Sequence, residues 1–336
     1  PVAWVCADFL RAFLFSVASW KSGIPLNTDV TFGFVGYALA WSDYLWLAQW
    51  GGVVVLSFFV AFIATAIFLF GHTERRIEPR TRWRVIAMVY VLYIVIGFIV
   101  HDPVRFVQSP QVVEVNGLKI APIWTDIPPA LRRTDAQQSA IEQMLADKIM
   151  IALDQGANVI VLPEYARYLK SEALLNPDVA VRVRDALASR SALLIDSQRA
   201  SEANGYFGQM LFYDGVQGDV VAIQNKRLLV PFGEYLPAIV TGGMRIAGFG
   251  TIVSSVERNR TFAASNDAFR TRTFVWRGEG IGVLACSEAL APFGYRAVSD
   301  AGAGVLINVA SHSWQRSFAF ILASEVEAMA RIHAVH

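Results

Sequence analysis

The chain has 336 residues, 54% of them hydrophobic, with a formal charge of +1 and a mean hydropathy of +0.42. The length allows two domains, and the apolar content is too high for an ordinary soluble protein, so part of the chain is expected in a membrane. The balanced charge argues against nucleic acid as a partner, and two cysteines, Cys6 and Cys286, leave no disulfide framework and no cysteine-rich metal site.

The chain opens at Pro1 and closes at His336 inside an unfinished helical pattern, which predicts a piece of a longer protein. Residues 2–20 are apolar but carry Asp8 and Arg11, three apart on one helix face. Each costs about 2.5–3.5 kcal/mol at a bilayer centre, which predicts the end of a truncated span with the pair near the interface. Residues 21–49, with Trp41, Tyr44 and Trp46 and with Trp50 just beyond, read as an aromatic interfacial belt. Residues 50–70 and 83–100 have the length and composition of membrane spans. Between them stand Arg75, Arg76, Arg80 and Arg82 against Glu74 and Glu78. By the positive-inside rule that loop is cytoplasmic, and everything after His101 emerges on the far side.

Past residue 103 charged residues return and apolar runs shorten to strand length. The division expected is a membrane region over residues 1–103 and a catalytic domain over 104–336. Asn116-Gly117 marks a hairpin ahead of a strand at 118–124. Residues 134–155 repeat Ile141, Leu145, Ile149 and Leu153 at helical spacing. A buried strand at 158–162 ends on Pro163-Glu164, a helix follows near 179–189, and strands follow near 192–196, 206–213 and 220–225. Residues 227–266 show weak periodicity and several glycines, the pattern of a lid or binding loop. Strands recur at 271–276, 281–285 and 305–309, with a last helix from near Trp314. Helices alternating with strands indicate an α/β layered sandwich.

Three residues stand at or just beyond the carboxyl ends of predicted strands, where ligand sites of open α/β sheets gather. They are Glu164 in Leu-Pro-Glu-Tyr, Lys226 in Asn-Lys-Arg-Leu-Leu-Val-Pro-Phe-Gly-Glu-Tyr, and Cys286 in Leu-Ala-Cys-Ser-Glu. Singly, each has an ordinary reading as a helix-start acid, a solvated charge and a core thiol. Together they meet the needs of acyl transfer. Cys286 attacks a carbonyl, Glu164 takes the thiol proton, and Lys226 with the Ser287 N–H stabilises the oxyanion. Burial is expected to raise the pKa of Glu164 and Lys226 to pull it back. No cofactor and no metal are needed. His312 reads as polar surface, and His333 with His336 as a helix face.

These segments resemble the Glu-Lys-Cys motifs of the carbon-nitrogen hydrolase (nitrilase) superfamily over roughly residues 118–336. Val-Pro-Phe-Gly-Glu-Tyr after the lysine, and Asp8-Phe-Leu-Arg11 near the start, resemble the apolipoprotein N-acyltransferase family. The resemblance implies a nitrilase-like αββα sandwich preceded by transmembrane helices in the bacterial inner membrane, with the catalytic domain periplasmic. It implies a phospholipid acyl donor and the amine of a lipoprotein as acceptor. Glu234 would match an accessory glutamate on the mobile loop and Glu288 the one after the nucleophile, with Ser287 and Trp314 beside the substrate. Three motifs depart from the family: Ser287 replaces Tyr, residues 308–314 differ from Asn-x-Ser-Asn-Asp-Ala-Trp, and Trp124-Thr125-Asp126 replaces Gln-Gly-Asn. A divergent paralogue resembling the TraB proteins of conjugal transfer systems is the alternative, as an amidase, as an acyltransferase on another substrate or as an assembly factor.

Overall fold

The computed structural model describes residues 1–26, 30–73, 112–125, 134–169, 176–202, 205–265, 273–310 and 326–333. The chain divides into two compact units. One holds Pro1–Phe15, Thr28–Phe106 and Phe320–His336, and the other holds Ser16–Asn27 and Val107–Ala319.

α1 (Val2–Ser19) is an unbroken helix, and residues 2–15 of it belong to the first unit. Among the described residues it is the one helix long and apolar enough to cross a membrane by length and composition. Asp8 and Arg11 lie on one face of it at 3.6 Å, and the Arg11 guanidinium sits 5.4 Å from the Phe34 ring centroid. The first predicted span begins within two residues of α2 (Gly52–Thr73), of which Gly52–Phe68 is apolar but shorter than a full span. A 3₁₀ turn at Val35–Leu39 packs on α2 through Gly36. A Cβ there would come within 2.5 Å of the Val53 carbonyl oxygen, so only glycine admits the contact. Residues 326–333 are helical, and His333 is buried with its Nε2 3.3 Å from the Tyr37 hydroxyl. The second predicted span at 83–100, the arginine-rich stretch at 74–82, His312, Trp314 and His336 lie outside the described residues.

The second unit is built on two sheets. The larger has six strands in sequence order: β1 (Val113–Val115), β2 (Leu118–Pro122), β3 (Val159–Val161), β4 (Leu193–Glu202), β5 (Gly205–Asp214) and β6 (Asp219–Asn225). Asn116 (φ 49°) and Gly117 (φ 77°) both turn left-handed between β1 and β2. The expected two-residue hairpin therefore forms. Strands β2, β3 and β4 run parallel, and β4, β5 and β6 form an antiparallel meander. The parallel crossovers carry α3 (Asp135–Asp154) and α4 (Pro177–Ser189). Thr134 caps α3 by accepting from the Gln137 N–H while the Gln137 side chain accepts from the Thr134 N–H. The stripe read from the sequence, Leu145, Ile149 and Leu153, is fully buried with Val183 and Leu187 of α4 against Ile160 and Leu194 of the sheet. Each such side chain contributes roughly 1.5–3 kcal/mol.

The other face of this sheet meets a second one, β7 (Thr273–Trp276), β8 (Glu279–Ala285) and β9 (Val305–Val309). Ile120, Val159, Ile195 and Phe212 interdigitate there with Ile281, Val283 and Val305. The outer face of β8 is covered by α7 (Pro292–Asp300). A Cβ on Gly282 would fall 2.2 Å from a Val298 methyl, and one on Gly280 would fall 2.1 Å from the Gly302 carbonyl oxygen. The glycines of Gly280-Ile281-Gly282 thus bring the helix and the following turn down onto the strand. The layers run helices, sheet, sheet, helix, a mixed α/β architecture.

The segment 227–266 differs from the expected loop, since it carries α5 (Ala238–Ile246) and α6 (Gly250–Arg260). Gly242-Gly243 interrupts the first and both are short, so no sustained period reaches the sequence. Tertiary contacts hold them instead: Ala238 N–H donates to the Trp20 carbonyl oxygen, and Glu257 pairs with Lys21 at 3.2 Å and with Arg245 at 2.8 Å.

Candidate active site

Glu164 follows β3 in a loop held from below by β4. The Ser197 hydroxyl accepts the Tyr165 N–H, the Ser197 carbonyl oxygen accepts the Arg167 N–H at 3.0 Å, and Asp196 accepts the Leu169 N–H at 2.7 Å. Tyr165 (φ 61°) and Arg167 (φ 59°) are both left-handed, conformations that cost non-glycine residues of order 1–3 kcal/mol each and that this scaffold over-determines. Asp196 is fully buried. Burial raises its pKa to about 7, against the pull of the backbone N–H groups of Leu169, Ser197, Tyr168 and Arg167. Because the folded state binds this proton more tightly, stability falls as pH rises from the ordinary aspartate range toward 7. The margin of wild type over Asp196→Asn is therefore expected to shrink by roughly 2 kcal/mol between pH 5 and 7, as read from urea midpoints.

Lys226 stands one residue past β6, with its N–H on the Gly208 carbonyl oxygen at 2.6 Å. Its side chain is 1% exposed, and Nζ donates to Glu164 Oε1 at 3.0 Å and to Glu234 Oε1 at 2.9 Å. Gly208 makes room for this: a Cβ there would lie 3.3 Å from the Tyr165 hydroxyl and 3.4 Å from Lys226 Cβ. Glu234 is fixed in turn by the Tyr165 hydroxyl at 2.9 Å and the Val230 N–H at 2.8 Å. Burial pushes the ammonium toward its neutral form, but Glu164 and Glu234 outweigh it and the Lys226 pKa ends well above the usual value. Burial likewise raises Glu164, with Lys226 opposing and Glu234 adding to the rise.

Cys286 follows β8 directly and opens a 3₁₀ turn, Cys286–Leu290. Pro292 then starts α7, so turn and helix are separate. The cysteine is left-handed at φ 44°, a strained corner that turns the thiol off the strand. Asn308 Nδ2 donates to the Cys286 carbonyl oxygen and to the Tyr295 hydroxyl, each at 3.4 Å. Burial, and after it the neighbouring Glu164 carboxylate, raise the pKa of the thiol, with Lys226 opposing. Both effects favour the protonated thiol at neutral pH.

Ser287 Oγ donates to the Leu228 carbonyl oxygen. Glu288 is fully buried and accepts the N–H groups of Arg227 at 2.7 Å, Leu228 at 3.3 Å and Ala285 at 2.8 Å. It ties the segment after Lys226 to the end of the cysteine strand. Of the residues singled out in the sequence, Glu164, Lys226, Cys286 and Glu234 converge, Ser287 and Glu288 lock the backbone beside them, and Trp314 lies outside the described residues. Tyr165, Asp196, Ser197 and Asn308 were not singled out. Only Asn308, at a strand end within a motif segment, carried a local signal. Among the described residues no group of three or more His, Cys, Asp or Glu is placed to hold a metal ion.

No family model matches the chain. Curated proteins do: the apolipoprotein N-acyltransferase of Brucella suis is 28% identical over 324 residues, 92% of this chain and 54% of that protein. That of Geobacter metallireducens is 25% identical over 329 residues, 94% of this chain and 56% of that protein. The chain resembles these apolipoprotein N-acyltransferases. It spans about half the length of the curated relatives it matches. Among solved structures, an amidase from Nesterenkonia sp. is matched over 59% of this chain and 66% of that one, at 19% identity and a TM-score of 0.38. A cysteine-to-serine mutant of the Nesterenkonia AN1 amidase from the nitrilase superfamily is matched over 57% and 65%, at 18% identity and a TM-score of 0.37.

Proposed function

We propose that the chain is a membrane-bound thiol acyltransferase whose second unit is a nitrilase-like αββα domain with Glu164, Lys226 and Cys286 as its triad. The observation that carries this is the cluster drawn from three strand ends, in which buried Lys226 Nζ lies 3.0 Å from Glu164 and 2.9 Å from Glu234 and the Glu164 carboxylate acts on the Cys286 thiol. The Cys286 sulfur attacks the ester carbonyl of a phospholipid as its proton passes to Glu164. Lys226 and the Ser287 N–H stabilise the tetrahedral oxyanion. Collapse expels the lipid alkoxide, which takes the proton from Glu164 and leaves a thioester. An amine then attacks, Glu164 accepts the amine proton, and that proton returns to the departing thiolate. Glu234 holds Lys226 in place, and the resemblance assigns Trp314 to substrate binding.

The lipid donor is supported by exposed apolar side chains on the segment that follows Lys226 in the chain. Phe232 is 66% exposed, Ile239 70% and Ile246 91%, with Phe249 and Ile252 also exposed. The names of the curated relatives support a lipoprotein amine as acceptor. The membrane region would span residues 1–103 and the catalytic domain 104–336 on the periplasmic side of a bacterial inner membrane, crossed more than once. A reporter fused after residue 76 is expected to read cytoplasmic and one near residue 116 periplasmic; the reverse overturns the topology.

The test is mass spectrometry of Cys286 after incubation with phospholipid in mixed micelles. A thioester on wild type, absent from Cys286→Ala and discharged by an added amine, supports acyl transfer. Discharge by water alone supports an amidase. No adduct on either protein leaves a TraB-like assembly role and removes both enzyme readings.

A further inference from the structure

The cluster at the three strand ends sets two carboxylates on one ammonium. Lys226 Nζ stands 3.0 Å from Glu164 Oε1 and 2.9 Å from Glu234 Oε1, so one negative charge is left over where little water reaches. Such a pair takes up one proton before the other, and hydrogen bonds donated to one carboxylate send that proton to its partner. Glu234 has the larger share of donors. Its Oε2 accepts the Val230 N–H at 2.8 Å, and its Oε1 accepts the Tyr165 hydroxyl at 2.9 Å as well as Lys226. Glu164 shares the ammonium but neither of the other two donors.

Tyr165 follows Glu164 in the chain, yet its side chain serves the other carboxylate. Its backbone is left-handed at φ 61°, and its N–H is accepted by Ser197 Oγ. The ring lies 6.1 Å from that of Phe262, and the Phe262 N–H donates to the Glu234 carbonyl oxygen at 2.8 Å. One residue therefore holds both the phenol and the backbone of its acceptor. The phenol passes close to Gly208 of β5, where a Cβ would stand 3.3 Å from the hydroxyl oxygen. Burial and the Glu234 charge both raise the Tyr165 pKa, with Lys226 opposing, so the phenol keeps its proton and donates throughout the neutral range. Among the described residues, the other titratable groups that bear on Glu234 are Lys226 after β6, Glu164 after β3, Cys286 after β8 and Tyr235 beside it in the chain, and Arg167 bears on Tyr165.

We propose that Tyr165 is a positioning residue: by donating to Glu234 Oε1 it directs the exchangeable proton of the cluster to Glu164 and so makes Glu164 the carboxylate that serves as base toward Cys286. This role rests on Glu164 as the base of the proposed reaction. It names what assigns different tasks to two side chains of the same chemistry on the same lysine.

The test is alkylation of Cys286 by iodoacetamide in the full chain, read across a pH series by mass spectrometry of the peptide that carries Cys286, which keeps Cys6 out of the signal. No acyl donor enters. Tyr165→Phe keeps the ring against Phe262 and removes only the hydroxyl. It is expected to move the rising limb of the rate to higher pH by about one unit, a fall of about tenfold at a pH below the limb, since Glu234 then competes for the proton. Glu234→Gln removes the competing carboxylate and is expected to move the limb to lower pH. Adding Tyr165→Phe to Glu234→Gln is expected to leave the limb where Glu234→Gln put it. A tyrosine that only supports the fold would lower the urea midpoint in both backgrounds and leave the limb in place, which overturns the assignment. A limb that Tyr165→Phe moves equally in both backgrounds also overturns it, because the hydroxyl would then act without Glu234. A wild-type rate that lacks the limb removes Glu164 as the base and the role of Tyr165 with it. The expected shifts, on a protein whose Cys286 forms no thioester with phospholipid, uphold Tyr165 and sink acyl transfer alone.

Discussion

Lys226→Met is expected to slow acylation of Cys286 and to destabilise the second unit together. Its side chain is 1% exposed and answers two carboxylates, Glu164 and Glu234, at 3.0 and 2.9 Å. Taking one partner from a buried ionic cluster costs about 3–5 kcal/mol, because the charges left behind have neither water nor a counter-charge. In wild type the Lys226 pKa is raised, so its stabilisation is fully present at neutral pH and is lost only as pH climbs through the raised value. In the methionine variant the paired carboxylates bind a proton as pH falls, so its stability deficit is largest near neutrality and shrinks in acid. Urea unfolding at several pH values reads this. Adding Glu234→Gln to Lys226→Met is expected to restore part of the stability and none of the activity. Acylation should fall about 10²–10³-fold in a variant kept folded, the loss typical of one oxyanion donor. A near-normal rate would remove Lys226 from that role.

Glu164→Gln separates chemistry from folding more cleanly, because the amide keeps the shape of the side chain. Burial and the neighbouring carboxylate favour the protonated Cys286 thiol at neutral pH, so in the proposed mechanism the nucleophile forms only as Glu164 takes the proton. Loss of that base is expected to slow acylation by about 10²–10⁴-fold. Alkylation by iodoacetamide should slow in parallel at neutral pH and recover as the solution becomes alkaline enough to ionise the thiol directly. Burial raises the Glu164 pKa, so the wild-type rate should rise with pH through a limb above the ordinary carboxylate range, and the glutamine variant should lack that limb. Equal alkylation rates for the two proteins at neutral pH would exclude Glu164 as the base.

Much of this was legible before any coordinates. Strand and helix periods placed Val159–Val161, Asp135–Asp154 and Val305–Val309 to within a residue or two, because each buries one face along its own length. Chemistry-bearing residues at the ends of such strands, Glu164, Lys226 and Cys286, could therefore be picked out as a set. The helices Ala238–Ile246 and Gly250–Arg260 were not legible, since their stability comes from Trp20, Lys21 and each other, far apart in sequence.

The sequence by itself determined the strand ends and the Asn116-Gly117 hairpin and singled out Glu164, Lys226 and Cys286 as candidates, since these follow from local periodicity, turn chemistry and residue type. Only the tertiary structure decided the ionisation of those groups. Glu164 and Cys286 are raised because folding removes their water, and Lys226 is raised because two carboxylates more than offset its own burial. It also decided the supports, Asp196 and Ser197 under the Glu164 loop and Asn308 behind Cys286. Hydrogen bonds and charges act over distance in space, and spacing along the chain does not record which strands the fold sets side by side.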